Sequence, residues 1–219
     1  MEQGQSRNSA VPAGAGTAVR TAIALAALLL FVWLARQALR GETAPFDTAI
    51  RDAIHARATG WLTAVMKVAT QFGSAFVVVP VGLFAVWRFL TVGRRRDAIA
   101  LVASAGGAEV IGQLLKLGFH RPRPDPFFGM AEPVASSFPS THAMIAICFY
   151  GALAAILAVG MRSRVAQLFL WALAAALALL IGFSRVYLGV HYPSDVIGGD
   201  AGAVVWALVV RTVYAGRSH

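Results

Sequence analysis

Charge is scarce in this chain. Of its 219 residues only 13% are charged and 58% are hydrophobic, whereas a soluble domain carries about a quarter charged residues. A surface so poor in charge, with a mean hydropathy of +0.68, excludes an ordinary soluble globule and points to a membrane. Lysine is nearly absent. Lys67 and Lys116 are the two in the chain, so the net charge of +9 comes mostly from arginine. A basic balance suits nucleic acid in a soluble protein, but these arginines fall between apolar blocks, where anionic headgroups and topology account for them; no nucleic-acid partner is expected. Cysteine is reduced to Cys148. That excludes an intramolecular disulfide and a cysteine-based zinc site, and its apolar surroundings read as those of a small core hydrophobe. Internal repeats are missing too, beyond a bias toward alanine, and no separate soluble module is evident.

What is present is a series of apolar blocks separated by short polar stretches. They run over residues 18–39, 72–90, 98–117, 138–159, 166–183 and 195–214. The expected fold is all-α, a polytopic membrane protein of six transmembrane helices occupying 18–214. A flexible cytoplasmic tail is expected over 1–17, rich in Gly, Ser, Gln and Ala, and a short tail over 215–219. The uncharged run from Thr21 to Ala35 measures about 22 Å at ~1.5 Å per residue, short of a ~30 Å hydrocarbon core. Arg20 and Arg36 therefore snorkel toward the two interfaces. The rival reading of this block is a cleaved signal peptide, but no convincing small-x-small cleavage site precedes Gln37, which favours a retained helix. After it, Phe46, Ile50 and Ile54 recur every four residues among Asp47, Arg51, Asp52 and Arg57. That spacing predicts a short amphipathic helix lying along the interface.

Six spans place both termini on one side. That side carries Arg88, the Arg94–Arg96 cluster and the pair Arg162 and Arg164, and the positive-inside rule makes it cytoplasmic. The opposite side is also basic, so the short arginine-rich loops decide. Abundant alanine, glycine and arginine suit a GC-rich bacterium, so the expected location is a bacterial inner membrane with the polar segments on its periplasmic face.

Three of those segments lie at outer span ends: Lys116 to Pro124, Phe138 to His142, and Ser184 to Asp195. Lys116, Arg121, Arg123 and Arg185 supply cations, and guanidinium forks suit phosphate oxygens. Ser140, Thr141 and His142 open a helix, where free N–H groups and the dipole attract an anion. His142 and His191 are imidazoles suited to nucleophilic and acid–base work. Asp195, four residues after His191, is placed to orient one ring nitrogen and stabilise positive charge on the ring. Each residue alone has a plainer explanation, as an interfacial anchor, a satisfied polar group or an N-cap. Their convergence on one side of six helices favours anion chemistry.

These segments resemble the signature of the type 2 phosphatidic acid phosphatase superfamily: K-x6-R-P, then P-S-G-H, then S-R-x5-H-x3-D. Lys116, Arg123 and Pro124 match the first, Pro139, Ser140 and His142 the second, and Ser184, Arg185, His191 and Asp195 the third. The resemblance implies a membrane lipid phosphatase or pyrophosphatase working through a phosphohistidine. His191 is then the nucleophile, Asp195 holds its ring, and His142 protonates the leaving oxygen and later activates water. Lys116, Arg123, Arg185, Ser140 and Thr141 bind the phosphoryl oxygens, with Arg121 and Ser184 as accessory residues. No cofactor or metal is implied, and the sequence shows no outer carboxylate cluster suited to Mg²⁺. The implied partners are the bilayer and a lipid phosphate: an isoprenyl pyrophosphate, phosphatidylglycerol phosphate or phosphatidate. No obligate protein partner is evident. Thr141 stands where the family usually has glycine. It keeps the N–H but adds bulk, which is expected to narrow the pocket or alter substrate preference.

Two other classes compete. A non-catalytic anion or lipid transporter needs polar residues continuing through the membrane, and Glu109 and Asp200 are the main ones here. Each reads either as a functional intramembrane carboxylate or as a structural partner for an inner polar residue. A vanadate-dependent haloperoxidase shares the signature, but such enzymes are soluble, against six apolar spans. His120 and Asp125 are placed to shape the entrance, while His55 and His219 read as incidental.

Overall fold

The computed structural model describes residues 13–131 and 135–215. They form eight α-helices: α1 (Ala13–Leu39), α2 (Ala44–His55), α3 (Gly60–Ala69), α4 (Ala75–Thr91), α5 (Arg95–Gly118), α6 (Thr141–Ala158), α7 (Arg164–Tyr187) and α8 (Pro193–Ala215). Among the described residues there is no strand. The tail expected over 1–17 lies outside them as far as residue 12, as does the C-terminal one beyond Ala215.

Five helices are long and apolar enough to cross a membrane: α1 from Gly16, α5, α6, α7 and α8 to Tyr214. The sixth candidate crossing is a bent pair of helices. Gly60–Gln71 and Ala75–Thr91 pass that test together but are bent by 44°, joined by a single 3₁₀ turn, Thr70–Gly73. At the break the Ser74 hydroxyl donates to the Gln71 carbonyl at 2.7 Å, satisfying a helix-end group locally. The sequence predicted a span over 72–90 only. Its first half escaped notice because Thr63, Lys67, Thr70 and Gln71 dilute the apolar signal.

The centre of the bundle is α6, which packs against α5, α7 and α8, while α1 lies along α8. Small residues permit the close approach that helix association in lipid relies on: Ala143, Ala146 and Ala154 of α6 and Ala108 of α5 are buried. Cys148 lies as expected in the core, with Ala108, Met144 and Ala203 around it. A polar tie crosses the apolar interior where Ser104 donates to the Cys148 carbonyl at 2.8 Å.

The start of α8 is pressed against the start of α6. A Cβ on Gly199 would stand 2.5 Å from the Ser140 carbonyl oxygen, so this position admits glycine alone. The approach lets Ser140 N–H donate to the Asp195 carbonyl at 3.0 Å. The C-terminal ends of α1, α5 and α7 and the N-terminal ends of α6 and α8 therefore gather at one end of the bundle, beside residues 119–131 and 135–140.

Candidate active site

His191 sits in the turn between α7 and α8 and is 1% exposed. Its Nδ1 faces Asp195 Oδ2 at 3.3 Å, and its Nε2 faces Arg123 Nη1 at 3.2 Å. An acceptor on one side and a donor on the other fix the tautomer: Nδ1–H donates to the carboxylate, leaving a lone pair on Nε2. Burial pushes the imidazole down to about 4, against the hydrogen bond and charge of Asp195, which pull upward; Arg185 and Arg123 add to the lowering. The ring is thus neutral and its outward nitrogen nucleophilic at physiological pH.

Asp195 is fully buried and is held by more than the histidine. It accepts from Ser137 Oγ at 2.5 Å, from Tyr192 N–H at 2.9 Å and from Arg121 Nη1 at 2.5 Å. Arg121 also reaches Asp47 Oδ2 at 2.7 Å, Thr43 Oγ1 at 2.8 Å and Ser194 Oγ at 2.8 Å. Its guanidinium lies over the Tyr192 ring at 4.3 Å. Asp47 closes the network. Its carboxylate accepts from Ser194 N–H at 2.9 Å and from Ser194 Oγ at 2.7 Å, capping α8 from another helix.

Arg121, expected as an accessory residue, joins the two carboxylates: its two terminal nitrogens are engaged by Asp47 and Asp195 in a buried setting. The hydroxyl of Ser184, the other accessory residue, donates to Ile181 O of its own helix at 2.6 Å. Asp47, expected on the polar face of an interfacial helix, is instead 0% exposed. Sequence reasoning missed it, although an aspartate four residues after Thr43, whose hydroxyl joins the same network, was the signal available.

Of the remaining site residues, Arg123 meets Nε2 directly. Arg123 donates from Nε to Ala135 O at 2.7 Å and from Nη1 to Val190 O at 3.0 Å, fixing the guanidinium beside the imidazole. Arg185 is buried; its Nη1 donates to Thr70 Oγ1 at 2.7 Å, but its Nε has no partner. Ser140 Oγ is also buried and partnerless. Leaving such a group unpaired costs about 1–3 kcal/mol, so two of them at one site mark a place shaped for a bound acceptor. Lys116 Nζ donates to Thr141 Oγ1 at 3.4 Å. His142 lies within electrostatic range of Arg185, His191, Lys116 and Arg123.

Thr141 spares the pocket its methyl group. A Cβ on Gly112 of α5 would stand 2.6 Å from Thr141 Cγ2, so the threonine's bulk fills a notch that glycine leaves in the facing helix. Its hydroxyl holds the Lys116 ammonium.

A cleft of ≈ 500 Å³ runs between α4 and α5, walled by Val79, Leu83 and Val102 and closed at its inner end by Thr141 and His142. Glu109 and Gln113 line it, joined by a hydrogen bond from Gln113 Nε2 to Glu109 Oε1 at 2.7 Å. His120 and Asp125 are exposed on the outer segment, and Arg51 donates to the Asp125 carbonyl at 2.8 Å. His55, read as incidental, stacks on Phe127 with centroids 4.0 Å apart and so pins that segment. His219 lies outside the described residues.

The chain is similar to known proteins in both sequence and fold. A family model described as the PAP2 superfamily matches residues 97–218. Phosphatidylglycerophosphatase B of Bacillus subtilis (strain 168) is 30% identical over 184 residues, covering 83% of this chain and 90% of that protein. An undecaprenyl-diphosphatase of Sulfolobus acidocaldarius is 31% identical over 144 residues, covering 63% and 64%. The crystal structure of a transmembrane PAP2 type phosphatidylglycerolphosphate phosphatase from Bacillus subtilis superimposes with a TM-score of 0.83 at 27% identity, over 90% of this chain and 98% of that one.

Proposed function

Because the chain belongs to the PAP2 superfamily and is a polytopic membrane lipid phosphatase, we propose that it removes the terminal phosphate of a lipid by two displacements at His191. The observation that carries this reading is the pairing of a neutral, buried His191–Asp195 couple with two partnerless buried donors, Ser140 Oγ and Arg185 Nε. A phosphoryl group bound there accepts from both, and from Lys116 and Arg123.

In the first displacement the Nε2 lone pair of His191 forms the N–P bond as the bond from phosphorus to the lipid oxygen breaks. His142 gives that oxygen a proton. Positive charge on the ring is met by Asp195, itself held by Arg121 and Ser137. Water then attacks phosphorus, His142 takes its proton, and Nε2 recovers its lone pair. The cations offset charge on the equatorial oxygens throughout. Phosphate release from a panel of defined lipid phosphates in detergent tests the reading: inorganic phosphate is expected from at least one, and release from none would overturn it.

The cleft between α4 and α5 supports lateral entry of the substrate from the bilayer, with its chain among Val79, Leu83 and Val102 and its phosphate beyond His142. The arginine-rich ends of α4, α5 and α7 support an outer-facing site, on the periplasmic side of a bacterial inner membrane. Every step is assigned to side chains, so activity is expected to persist in EDTA; loss restored by Mg²⁺ would contradict this mechanism.

The neutral nucleophile has its own test. In protein labelled with ¹⁵N-histidine, the resonance lost in His191→Ala is expected to keep neutral-imidazole shifts at pH 5.5. A histidine near its ordinary ~6.5 is about nine-tenths protonated there, whereas one held at about 4 is not. Imidazolium shifts at that pH would contradict the tautomer assignment.

A further inference from the structure

Arg20 and Arg211 have no part in the chemistry above, and both line one groove at the other end of the bundle. It encloses ≈ 600 Å³ between α1 and α8. A Cβ on Gly202 of α8 would stand 3.6 Å from the Phe31 ring of α1, which sets the register of these two antiparallel helices. From that level Arg20 lies about 16.5 Å along α1 and Arg211 about 13.5 Å along α8, at ~1.5 Å per residue. The two arginines therefore stand within one turn of the same level. Arg20 Nη2 donates to Thr17 Oγ1 at 3.1 Å, and Thr17 lines the groove too. Among the described residues lining it there is no carboxylate. Deeper in the bundle its walls are Leu25, Leu28, Val205 and Leu208. From Thr17 to Leu28 the groove runs about 16 Å, close to half of a ~30 Å hydrocarbon core. Cations at the mouth and one leaflet's depth of apolar wall match the two ends of a phospholipid.

We propose that this groove is a binding site for one phospholipid of net negative charge, drawn from the leaflet opposite the active site. Its phosphodiester accepts from the guanidinium groups of Arg20 and Arg211, which suit phosphate oxygens, and an acyl chain lies along Leu25, Leu28 and Val205. Net charge decides the choice. A zwitterionic lipid offers the same phosphodiester but sets its own ammonium beside two guanidinium groups, with no carboxylate in the groove to receive it. A free phosphate ion answers the arginines and leaves the apolar wall uncovered. The site stands apart from the phosphatase chemistry and does not depend on it.

Native mass spectrometry of the full chain in detergent, with phosphatidylglycerol and phosphatidylcholine of identical acyl chains as probes, tests the site. The wild type is expected to retain one phosphatidylglycerol with an affinity at least about tenfold above that for phosphatidylcholine, the scale two arginines supply beside an anionic headgroup. In Arg20→Gln/Arg211→Gln that preference is expected to fall to within twofold. Arg162→Gln/Arg164→Gln removes the same charge from the loop between α6 and α7 at the same end of the bundle, and is expected to keep it. Phosphate release near the wild-type rate checks that each variant is folded; should the groove pair aggregate, Arg211→Gln alone is expected to lose about threefold of the preference. Equal losses in the two double variants would reduce the effect to general surface charge. A preference untouched by the groove variant would place the lipid elsewhere, the active site included, and a protein dimer lost in that variant with no lipid retained would make the occupant a second copy. Each of these three results would overturn the site.

Discussion

His191→Ala is expected to lower phosphate release by at least about 10⁴-fold, the scale seen when a covalent nucleophile is removed. The substitution deletes the single atom, Nε2, that forms the bond to phosphorus. It leaves Lys116, Arg123, Arg185 and Ser140 in place, so the variant is expected to bind inorganic phosphate or orthovanadate with affinity within a few-fold of wild type. That split separates it from Arg185→Ala, which removes a buried cation and is expected to weaken the binding itself. Monodisperse elution in detergent checks that the variant folds, because His191 is buried and holds Asp195. Turnover near normal in a well-folded His191→Ala protein would sink the assignment.

The second large effect concerns stability. Asp47→Ala is expected to destabilise the protein by about 3–5 kcal/mol, the usual cost of stripping one partner from a buried ion pair. Arg121 is 8% exposed at its side chain and bridges two carboxylates that are 0% exposed. Without Asp47 it keeps one carboxylate, and Ser194 N–H at the head of α8 loses its acceptor. Thermal unfolding in detergent is expected to shift down by about 10 °C. Activity is expected to fall as well, because Arg121 then pulls on Asp195 without a counterweight and the His191 ring loses its fixed orientation. Asp47→Asn retains the acceptor for Ser194 N–H and is expected to fall between the two. A shift of under about 2 °C in Asp47→Ala would show that the network contributes little.

The contrast between these two experiments marks what the amino-acid sequence discloses. Lys116, Arg123, His142, Arg185, His191 and Asp195 occur in three short segments with fixed internal spacing, so their chemistry shows before any fold is known. His191 and Asp195 are one helical turn apart, and a partner that near in sequence is legible. Asp47 is different. It stands 74 residues from Arg121 and 147 from Ser194, inside a helix whose alternation of apolar and charged residues describes an interface. Periodicity reports which face is polar; it does not report that the polar face meets another buried charge. The two arginines of the 121–124 segment show the same limit. Both have the chemistry to hold phosphate, and only the tertiary position of Asp47 and Asp195 makes one a clamp.

The fold was legible to a similar degree. Five crossings follow from helices of sufficient apolar length, while the sixth candidate is bent at Gly73 and Ser74, with Lys67, Thr70 and Gln71 just before the bend. Those polar residues are not faults in the span. Thr70 holds Arg185, and Lys67 donates to the Phe128 carbonyl at 3.1 Å. The residues that blur the hydropathy signal are those that connect the broken span to the site. Thr141 has a comparable explanation: a substitution that looks obstructive in one dimension is absorbed by Gly112 in three.

Rapid-quench labelling with ³²P-labelled lipid phosphate probes the nucleophile most directly. Two displacements at His191 require an acid-labile, base-stable phosphoryl group on the peptide containing that residue, formed before free phosphate in the wild type and absent from His191→Ala. Label on any other residue, or normal turnover with no phosphoprotein at any quench time, would contradict covalent catalysis by His191.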